Sequence, residues 1–448
     1  MVVRYPVLYL PSEIHNRDWD ARLLIADHAA ALGFTSVVGQ QWVINENWMH
    51  LPPGLVLVKT INEIQLNAAE AFRSRGNYIV TMDEEAFAVA PDQGFLGILS
   101  PRLPHLTDAF FANSALHAEV LLGLVPGLKG KVIPTGNART DLLVSPGRGR
   151  FAAEAEGIKD QLGPFILFNS NMAQSNSIWT NKEEYVQIQL HAGGVDPGDP
   201  KSVERFHQQF EFERNNTEAF MNALQWCLKH VATHRIVVRP HPVERPEYWQ
   251  EIAGKFPQLY VAAATHHIPW MMAADAIVHT NSTTGLEAAL LERPTVNLVP
   301  NAGGHWENIY VGTRVNPTFI DWREGMKALA VFLETGAGRL SEVDRERSEL
   351  KRYFPEAFDG SRAKRIVENM AGAMRLSPLF TGPLDLPAMI GGRLNQIERM
   401  EALKRKFTKD FAQAAADIKA IRKVTKLMHP FRIRKIAEGC FAVSPNQR

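Results

Sequence analysis

Short apolar runs alternate with amphipathic stretches along the first 145 residues. The runs at 7–10, 36–38, 55–58, 77–82, 109–112 and 132–134 are strand candidates, and residues 19–32 have the spacing of a helix that ends at Gly33. Strands that alternate with helices are typical of a parallel, doubly wound sheet. The pattern therefore predicts a Rossmann-like N-terminal domain over residues 1–150.

A second alternating unit follows residues 145–157, a Gly-, Arg-, Ala- and Glu-rich stretch that we interpret as an interdomain linker. Its strand candidates are 164–169, 235–238, 259–261, 276–279 and 295–299, with a helix after Lys182 and a long helix that ends near Lys229. We predict an α/β protein with two Rossmann-like doubly wound domains facing a cleft, the second over 160–320. A helical C-terminal extension follows, with a segment at 321–392 that packs back on the domains and a basic helical tail at 393–448.

Composition agrees with a folded protein of 448 residues, since 45% of them are hydrophobic and 22% are charged. These values exclude a mostly disordered, collagen-like or coiled-coil chain. No window offers about 18 consecutive apolar residues, and the first apolar run is too short for a signal peptide. Cys227 and Cys440 cannot build a disulfide framework or a four-ligand zinc site, so we expect a cytoplasmic protein.

Charge is balanced overall, with a formal net charge of +1, but it is unevenly distributed. Residues 393–448 carry a net charge of +9, which leaves −8 on the rest of the chain. Residues 396–435 interleave basic and apolar side chains, and a long helix at 396–428 could lie peripherally on an anionic membrane. A partner helix or a solvated face is the alternative. Nucleic-acid binding is less favoured, because no recognition module accompanies the charge.

The sequence Arg239-Pro-His241-Pro follows the strand candidate 235–238 directly. Both prolines stop the strand, so the two basic side chains are displayed at the carboxyl end of a parallel strand, where open α/β sheets bind ligands. Such a pair suits a phosphate. The alternative is a capped turn whose histidine bonds only to the backbone.

A hydroxyl-rich turn follows the strand candidate 276–279 and opens a helix. Its hydroxyls and the free amides of the helix start predict an anion site formed by Ser282, Thr283 and Thr284. Glu287 could bond a ribose or complement the helix dipole, and Gly285 would permit close approach of a ligand or a neighbouring backbone. Ordinary N-capping is the alternative. We expect this turn and the Arg-Pro-His-Pro turn to meet across neighbouring strands.

Polar residues follow other strand candidates as well. Asn169 ends the first strand of the second unit. Asp83, Glu84 and Glu85 form a run of adjacent carboxylates, of which one could deprotonate an acceptor hydroxyl, although a solvated helix start is the alternative. Arg139 could hold a carboxylate or phosphate, or could pair with Asp141. No metal-ligand motif accompanies these residues. His266, His267 and His279 lie near the anion motifs, but scattered histidines are more often structural.

As a set, these motifs resemble the bacterial surface carbohydrate (surface polysaccharide) biosynthesis proteins and, more distantly, glycosyltransferases of the two-Rossmann-domain GT-B fold. The matching segments span about residues 5–300 and are 20–26, 51–54 with Lys59, 83–85, 136–137 with Arg139 and Asp141, 239–242 with Glu244 and Trp249, 269–270, and 279–285 with Glu287 and Ala288. The paired motifs also look like those of CMP-sugar enzymes such as sialyl-, polysialyl- and Kdo-transferases. The chain departs from them at Ala138, where we expect Pro, and at Ser282, where related sequences often carry Cys.

The resemblance implies a glycosyltransferase of surface polysaccharide or lipopolysaccharide biosynthesis, which transfers a Kdo-type or nonulosonic sugar from a CMP donor to a glycan or lipid-linked acceptor. It assigns the nucleotide to Asn169, Arg239, His241, Ser282, Thr283, Thr284 and Glu287, with His241 also on the departing phosphate. The N-terminal domain would bind the acceptor, with Arg139 on an acidic group and Asp83, Glu84 or Glu85 as base or nucleophile. No metal would be obligatory. The alternatives are a sugar-nucleotide epimerase, a glycerophosphotransferase, or a non-catalytic scaffold of polysaccharide assembly.

Overall fold

The protein divides into two compact units, and the C-terminal residues return to the unit in which the chain begins. Unit 1 comprises Met1–Glu85, Leu99–Arg150 and Glu356–Arg448, and unit 2 comprises Ala86–Ile98 and Phe151–Pro355. The structure, a computed structural model, describes residues 6–59, 61–90, 99–172, 175–176, 195–242, 244–263, 265–300, 310–341, 348, 350–355, 358–375 and 409–445.

Strands and helices alternate along most of the chain, as the apolar pattern predicts. The strands are β1 (Val7–Ser12), β2 (Thr35–Gln40), β3 (Leu55–Val58), β4 (Tyr78–Thr81), β5 (Ala109–Phe111), β6 (Val132–Ile133), β7 (Phe165–Asn169), β8 (Arg235–Arg239), β9 (Leu259–Val261), β10 (Ala276–His279), β11 (Thr295–Leu298), β12 (Thr318–Phe319), β13 (Phe431–Ala437) and β14 (Cys440–Pro445). The helices are α1 (Trp19–Ala31), α2 (Gln41–Glu46), α3 (Glu63–Ser74), α4 (Leu103–Leu106), α5 (Ala115–Leu124), α6 (Ala138–Asp141), α7 (Ala152–Leu162), α8 (Pro200–His230), α9 (Pro246–Lys255), α10 (His267–Ala273), α11 (Thr283–Leu290), α12 (Val311–Val315), α13 (Trp322–Thr335), α14 (Arg362–Arg375) and α15 (Phe411–Thr425).

Unit 1 is built on an eight-stranded sheet with the order β13-β14-β2-β1-β3-β4-β5-β6. Strands β1 to β6 are parallel, and β1 and β3 are buried along their whole length. Helix α1 is buried at nearly every position, because α14 and α15 from the C-terminal part of the chain pack on it. An all-round burial of this kind explains why its sequence carries little amphipathic pattern.

Unit 2 is built on a six-stranded, wholly parallel sheet with the order β12-β11-β10-β7-β8-β9. The long helix α8 packs its apolar stripe on one face of this sheet, where the Phe220 ring meets Phe168 of β7 edge to face at 5.4 Å. Parallel strands covered on both faces read as continuous apolar runs, which is why β7, β8 and β10 are prominent in the sequence.

The chain after Thr425 differs from the predicted helical tail. Helix α15 ends at Thr425, and β13 and β14 form an antiparallel hairpin whose second strand pairs with β2 of the unit 1 sheet. The run Phe431-Arg-Ile-Arg-Lys-Ile436 alternates apolar and basic residues, and a period of two is typical of a strand. The prediction was wrong here because these basic and apolar residues were assigned to a helical tail although they alternate with a period of two.

The predicted linker and the predicted helical segments can be compared with the structure in part. Residues 145–157, predicted as a linker, contain the 3-10 helix Gly147–Phe151 and the start of α7. The predicted helical segment 321–392 contains α13 and α14. Its residues 376–392 lie outside the described part of the chain. The helix predicted after Lys182 and residues 396–408 of the tail also lie outside it. Within the described residues, no helix is both long and apolar enough to cross a bilayer.

Candidate functional site

The carboxyl ends of three parallel strands form one edge of the unit 2 sheet. Strand β7 lies between β10 and β8, and Asn169 at the end of β7 is in register with Arg239 at the end of β8. The Arg-Pro-His-Pro turn and the hydroxyl-rich helix start therefore share one sheet edge. They flank β7 instead of meeting across adjacent strands, because β7 is inserted between β8 and β10.

The start of α11 presents a buried hydroxyl that forms no hydrogen bond with the described residues. Ser282 precedes the first turn with an extended backbone, and its hydroxyl is buried without a hydrogen-bond partner. Asn169 donates through Nδ2 to the hydroxyl of Thr284 at 2.5 Å, and its own Oδ1 has no partner. Thr283 is exposed. Because the first N–H groups of a helix lack intrahelical acceptors, this end of α11 suits an anion.

Arg239 brings a guanidinium to the same edge, although the residue is only 6% exposed. Its Nη2 donates to the carbonyl oxygen of Thr265 at 3.2 Å, whereas its Nε has no partner. Burial lowers the pKa of Arg239 to about 10, and the carboxylates of Glu287 and Glu244 oppose that shift. The side chain is therefore cationic at neutral pH, with a donor left for a phosphate or carboxylate.

Glu244 has a role that the sequence motif does not reveal, since its buried carboxylate organises the turn that carries His241. It accepts hydrogen bonds from the Ser170 hydroxyl at 2.8 and 2.9 Å, the Met172 amide at 2.8 Å, the Trp249 indole at 2.7 Å and the His241 amide at 3.3 Å. Burial raises the pKa of Glu244, and these hydrogen bonds counteract it. The Ser170 partner lies 74 residues upstream, so local sequence could not identify it.

Glu287 pairs with one of the nearby histidines, and another of them is buried, as expected for structural histidines. The Glu287 carboxylate, in the second half of α11, lies 3.0 Å from Nε2 of His267, and the His266 ring stacks on His267 with centroids 5.0 Å apart. His279 is fully buried and both of its ring nitrogens lack partners. Burial lowers the pKa of His279 to about 3, so the ring is neutral.

Gly285 serves the close approach of a neighbouring backbone, one of the two predicted reasons for it. A Cβ atom at this position would lie 2.8 Å from the Cα of Gly312 in α12 and 2.7 Å from Nδ2 of Asn316. The Asn316 amide also donates to the Gly285 carbonyl oxygen at 2.9 Å. The absence of a side chain therefore fixes α11 against α12 and holds its N-terminal end at the sheet edge.

In unit 1, Glu84 is buried among basic side chains at the carboxyl edge of the sheet. Arg22 lies 2.9 Å from its Oε1, and Asn137 donates to its Oε2 at 3.0 Å, where Arg139 is 4.0 Å away. Burial by itself would raise the pKa of Glu84, but the charges of Arg22, Arg139 and Arg17 and the Asn137 hydrogen bond hold it below the ordinary value. The carboxylate is thus ionised and engaged.

Of the other two predicted acids, Asp83 and Glu85, only the side chain of Asp83 lies within the described residues. Asp83 is 5% exposed, and its backbone carbonyl accepts a hydrogen bond from Asn113 at 3.2 Å. The side chain of Glu85 lies outside the described residues. The burial of Asp83 and Glu84 excludes a solvated helix start as the explanation for these two residues.

No group of three His, Cys, Asp or Glu side chains suited to a metal ion occurs in the described part of the chain.

Asp141, predicted as a partner of Arg139, caps the C-terminal helix α14. Its two carboxylate oxygens accept the backbone N–H groups of Arg362 and Ala363 at 3.0 and 2.8 Å. Burial raises the pKa of Asp141 to about 6, against the effect of these hydrogen bonds. The Arg139 side chain is buried beside Glu84, so these two neighbours in sequence serve different parts of unit 1.

The loop after β1 also carries buried charge. Glu13 pairs with the ammonium of Lys59 at 2.5 Å, and Lys59 is only 1% exposed. The Ser12 hydroxyl and the Glu13 amide donate to Asp18 at 2.6 and 3.1 Å. The polar residues that follow β1 therefore stabilise their own loop and fix Lys59 at the end of β3.

Comparison with solved structures supports the architecture. A variant of the wall teichoic acid polymerase TagF matches with a TM-score of 0.52 and 9% identity, over 84% of this chain and 90% of that chain. Staphylococcus aureus MnaA, solved with UDP, and a putative UDP-N-acetylglucosamine 2-epimerase from Listeria monocytogenes each match with a TM-score of 0.50 over 84% of this chain and 98% of theirs, at 12% and 14% identity. The chain has the GT-B fold.

The predicted fold class is confirmed by these matches and by the two parallel sheets with a helical C-terminal region. At identities of 9–14%, the likeness concerns the fold and leaves the chemistry to be argued from this chain's own residues. No model of a protein family matches the sequence, and no curated protein does.

Proposed function

We propose that the protein is a nucleotide-sugar-dependent glycosyltransferase of cell-surface glycan synthesis, and that the donor phosphate binds at the carboxyl edge of the unit 2 sheet. One observation carries the proposal: a buried guanidinium with an unused Nε, on Arg239, and a buried hydroxyl without a partner, on Ser282, belong to the same strand edge as the start of α11. Unpaired buried donors are costly unless a ligand uses them.

We propose a pyrimidine nucleotide as the carrier of the sugar. Two considerations support it. MnaA, which shares the fold, was solved with UDP, and the paired motifs of this chain are similar to those of CMP-sugar transferases. The acceptor would be a glycan or a lipid-linked glycan, as in the synthesis of a surface polysaccharide.

In the proposed reaction, the oxygen of an acceptor hydroxyl bonds to the anomeric carbon of the donor sugar. The bond from that carbon to the donor phosphate oxygen breaks, its electron pair leaves with the phosphate, and the hydroxyl proton passes to a carboxylate. Arg239, the α11 amides and His241 would stabilise the charge on the departing phosphate.

Asp83 and Glu85 are the proposed candidates for the base. Glu84 is a poor one, because its ion pair with Arg22 and its lowered pKa oppose proton uptake. Arg139 is proposed to hold an acidic group of the acceptor, with Glu84 as its buried counter-charge. Substituting Asp83→Asn and Glu85→Gln separately, and comparing turnover at saturating donor, distinguishes the two acids.

A sugar-nucleotide epimerase is the second candidate, favoured by neighbours that carry that name and match along 97–98% of their own length. The two activities differ in one requirement. An epimerase converts UDP-N-acetylglucosamine alone, whereas a transferase releases nucleotide only when an acceptor hydroxyl is supplied. Product analysis with and without an acceptor glycan separates them.

The test of the site is nucleotide-induced stabilisation measured with CMP, UDP, CDP and GDP. A ligand present at about 100 times its dissociation constant stabilises the native protein by about 2.7 kcal/mol. We expect a pyrimidine nucleotide to raise the unfolding temperature of the wild type, and to do so much less for Arg239→Gln and Ser282→Ala.

Thr233→Ala provides the matched control, because this exposed hydroxyl precedes β8 and so belongs to the opposite end of the strand. It should respond like the wild type. An equal response of the Arg239 and Ser282 variants, or no response of the wild type to any nucleotide, would contradict the proposal. Binding without turnover that also survives His241→Ala would favour the scaffold alternative.

A further inference from the structure

The C-terminal elements of unit 1 carry an exposed basic surface, which we call the tip surface. It consists of Lys419 and Lys423 on α15, Lys426 and Met428 in the turn after it, and Arg432 at the start of β13, all of which are exposed. Between Ile418 and Ala437 the chain has seven Lys and Arg residues and no Asp or Glu. The surface is therefore strongly cationic, whereas the rest of unit 1 is close to neutral.

Helix α15 has two different faces. Ala414, Ile418 and Ile421 are completely buried, and the helix packs against α1. Lys419 and Lys423, four residues apart, lie together on the opposite face. Ile418 and Ile421 are thus used inside unit 1, whereas the lysine face of α15 is exposed.

Met428 lies in a turn that the side chain of Arg422 holds in place. Arg422 donates from Nη2 to the carbonyl oxygens of Leu427 and His429, the residues on either side of Met428, and from Nη1 to the buried carboxylate of Asp27 at 3.1 Å. Met428 itself is 91% exposed. Its apolar side chain therefore protrudes beside the basic residues of the tip surface, where it could enter an apolar phase.

We propose that the tip surface docks on an anionic lipid bilayer, with Met428 entering the interface and the basic side chains contacting the headgroups. Charge complementarity favours an anionic bilayer as the partner. The surface combines several basic side chains with one protruding apolar residue, and there is no acidic residue among them. Basic residues near a membrane surface and an inserted apolar side chain act together in such binding. The inference uses no residue of the nucleotide site, so it stands or falls separately from the proposed function.

The experiment is sedimentation of the full-length protein with vesicles of phosphatidylcholine and phosphatidylglycerol in equal amounts, compared with pure phosphatidylcholine. We expect binding only to the anionic vesicles, and weakening by salt. The triple variant K419Q/K423Q/K426Q should bind about a hundredfold more weakly, since each lysine near the surface contributes roughly a factor of five. Met428→Ser should weaken binding several-fold without changing its salt dependence.

The control is K229Q/K255Q/K327Q, which removes three exposed lysines of unit 2 and should bind like the wild type. Because the substituted side chains are all exposed, the variants should keep the wild-type unfolding temperature. A deletion of the tail would not test the surface alone, because it would also remove two strands of the unit 1 sheet. Unchanged vesicle affinity of the tip triple, or equal wild-type binding to pure phosphatidylcholine, would overturn the proposal. Binding to a single-stranded oligonucleotide, lost in the triple, with no wild-type vesicle binding would assign the surface to nucleic acid instead.

Discussion

The protonation states of several side chains of this protein are determined by their surroundings in the folded chain. His279 is neutral because it is buried without a partner on either nitrogen, and Glu84 is ionised because Arg22 and its other partners outweigh the effect of burial. Neither property follows from residue type. Each can be measured through its effect on stability.

His279 should make the free energy of unfolding depend on pH. Its pKa is about 3 in the folded protein and 6.5 as the ordinary value, so the unfolded chain takes up the proton first as pH falls. The stabilisation is fully present above pH 6.5 and is lost progressively below it. Between pH 7 and pH 5 the loss is about 2 kcal/mol. Urea unfolding of His279→Gln should therefore show a pH dependence smaller by that amount.

The exposed residue His207 supplies the control for this measurement. His207→Gln should keep the wild-type pH dependence. Other buried groups, such as Asp141, titrate equally in the wild type and in both variants, so they cancel in the comparison. Identical pH dependence of wild type and His279→Gln would show that folding does not lower the pKa of this ring.

Removing the Glu84 carboxylate should be strongly destabilising. Glu84→Ala leaves Arg22 buried, at 1% exposure, without its counter-charge, and breaking a buried pair in this way costs about 3–5 kcal/mol. Glu70→Ala is the matched control, because its pair with Arg102 is exposed and contributes below about 1 kcal/mol. Denaturant unfolding measures both. A cost for Glu84→Ala no greater than that of the control would refute the assigned role.

Among the secondary-structure elements, α11 is held in position by a neighbouring helix. Its N-terminal end carries Ser282 and Thr284, while Gly285 lies against α12. The apolar strand before it and the hydroxyl-rich turn were predictable from sequence. The reason for the glycine was not decided there, because α12 begins 26 residues after Gly285 and sequence pattern does not indicate which elements pack together.

Gly285→Ala should disturb both stability and ligand binding. The added methyl group overlaps α12 and costs about 1–3 kcal/mol. Because the helix must shift to relieve this overlap, the nucleotide-induced rise in unfolding temperature should also decrease. Gly254→Ala in α9 is the control, since a Cβ there meets no atom within 4 Å. A full nucleotide response in Gly285→Ala would show that the position of α11 does not control the site.

At the scale of the whole chain, the C-terminal residues complete unit 1. Trp19 of α1 donates to Asp417 of α15 at 2.9 Å, and Arg150 pairs with the same carboxylate at 2.9 Å. Strand β14 extends the sheet beside β2, where Gly39 allows the backbone of Gly439 and Cys440 to come close. The basic tail is thus a structural part of the first domain as well as a surface.

Truncation after Lys426 should therefore destabilise unit 1. The shortened chain loses the β13–β14 hairpin, exposes the edge of β2, and removes the carbonyl groups that Arg422 binds. We expect a lower unfolding temperature and self-association through the uncovered strand edge, as measured by thermal unfolding and sedimentation velocity. Removal of residues 446–448 alone, which follow β14, should change neither. Wild-type behaviour of the longer truncation would contradict the structural role of the hairpin.

Strands β1 to β11, and the polar residues that follow several of them, could be predicted from local pattern, whereas β12 and the β13–β14 hairpin were not predicted. Apolar runs and helical spacing report directly on burial, and the ends of parallel strands collect on one sheet edge. The partners of those residues could not be predicted. Asp141 caps a helix 221 residues away, Trp19 meets Asp417 398 residues away, and β7 separates the two anion motifs. Such pairings depend on which elements pack together, and packing is a property of the folded chain that no local window of sequence contains.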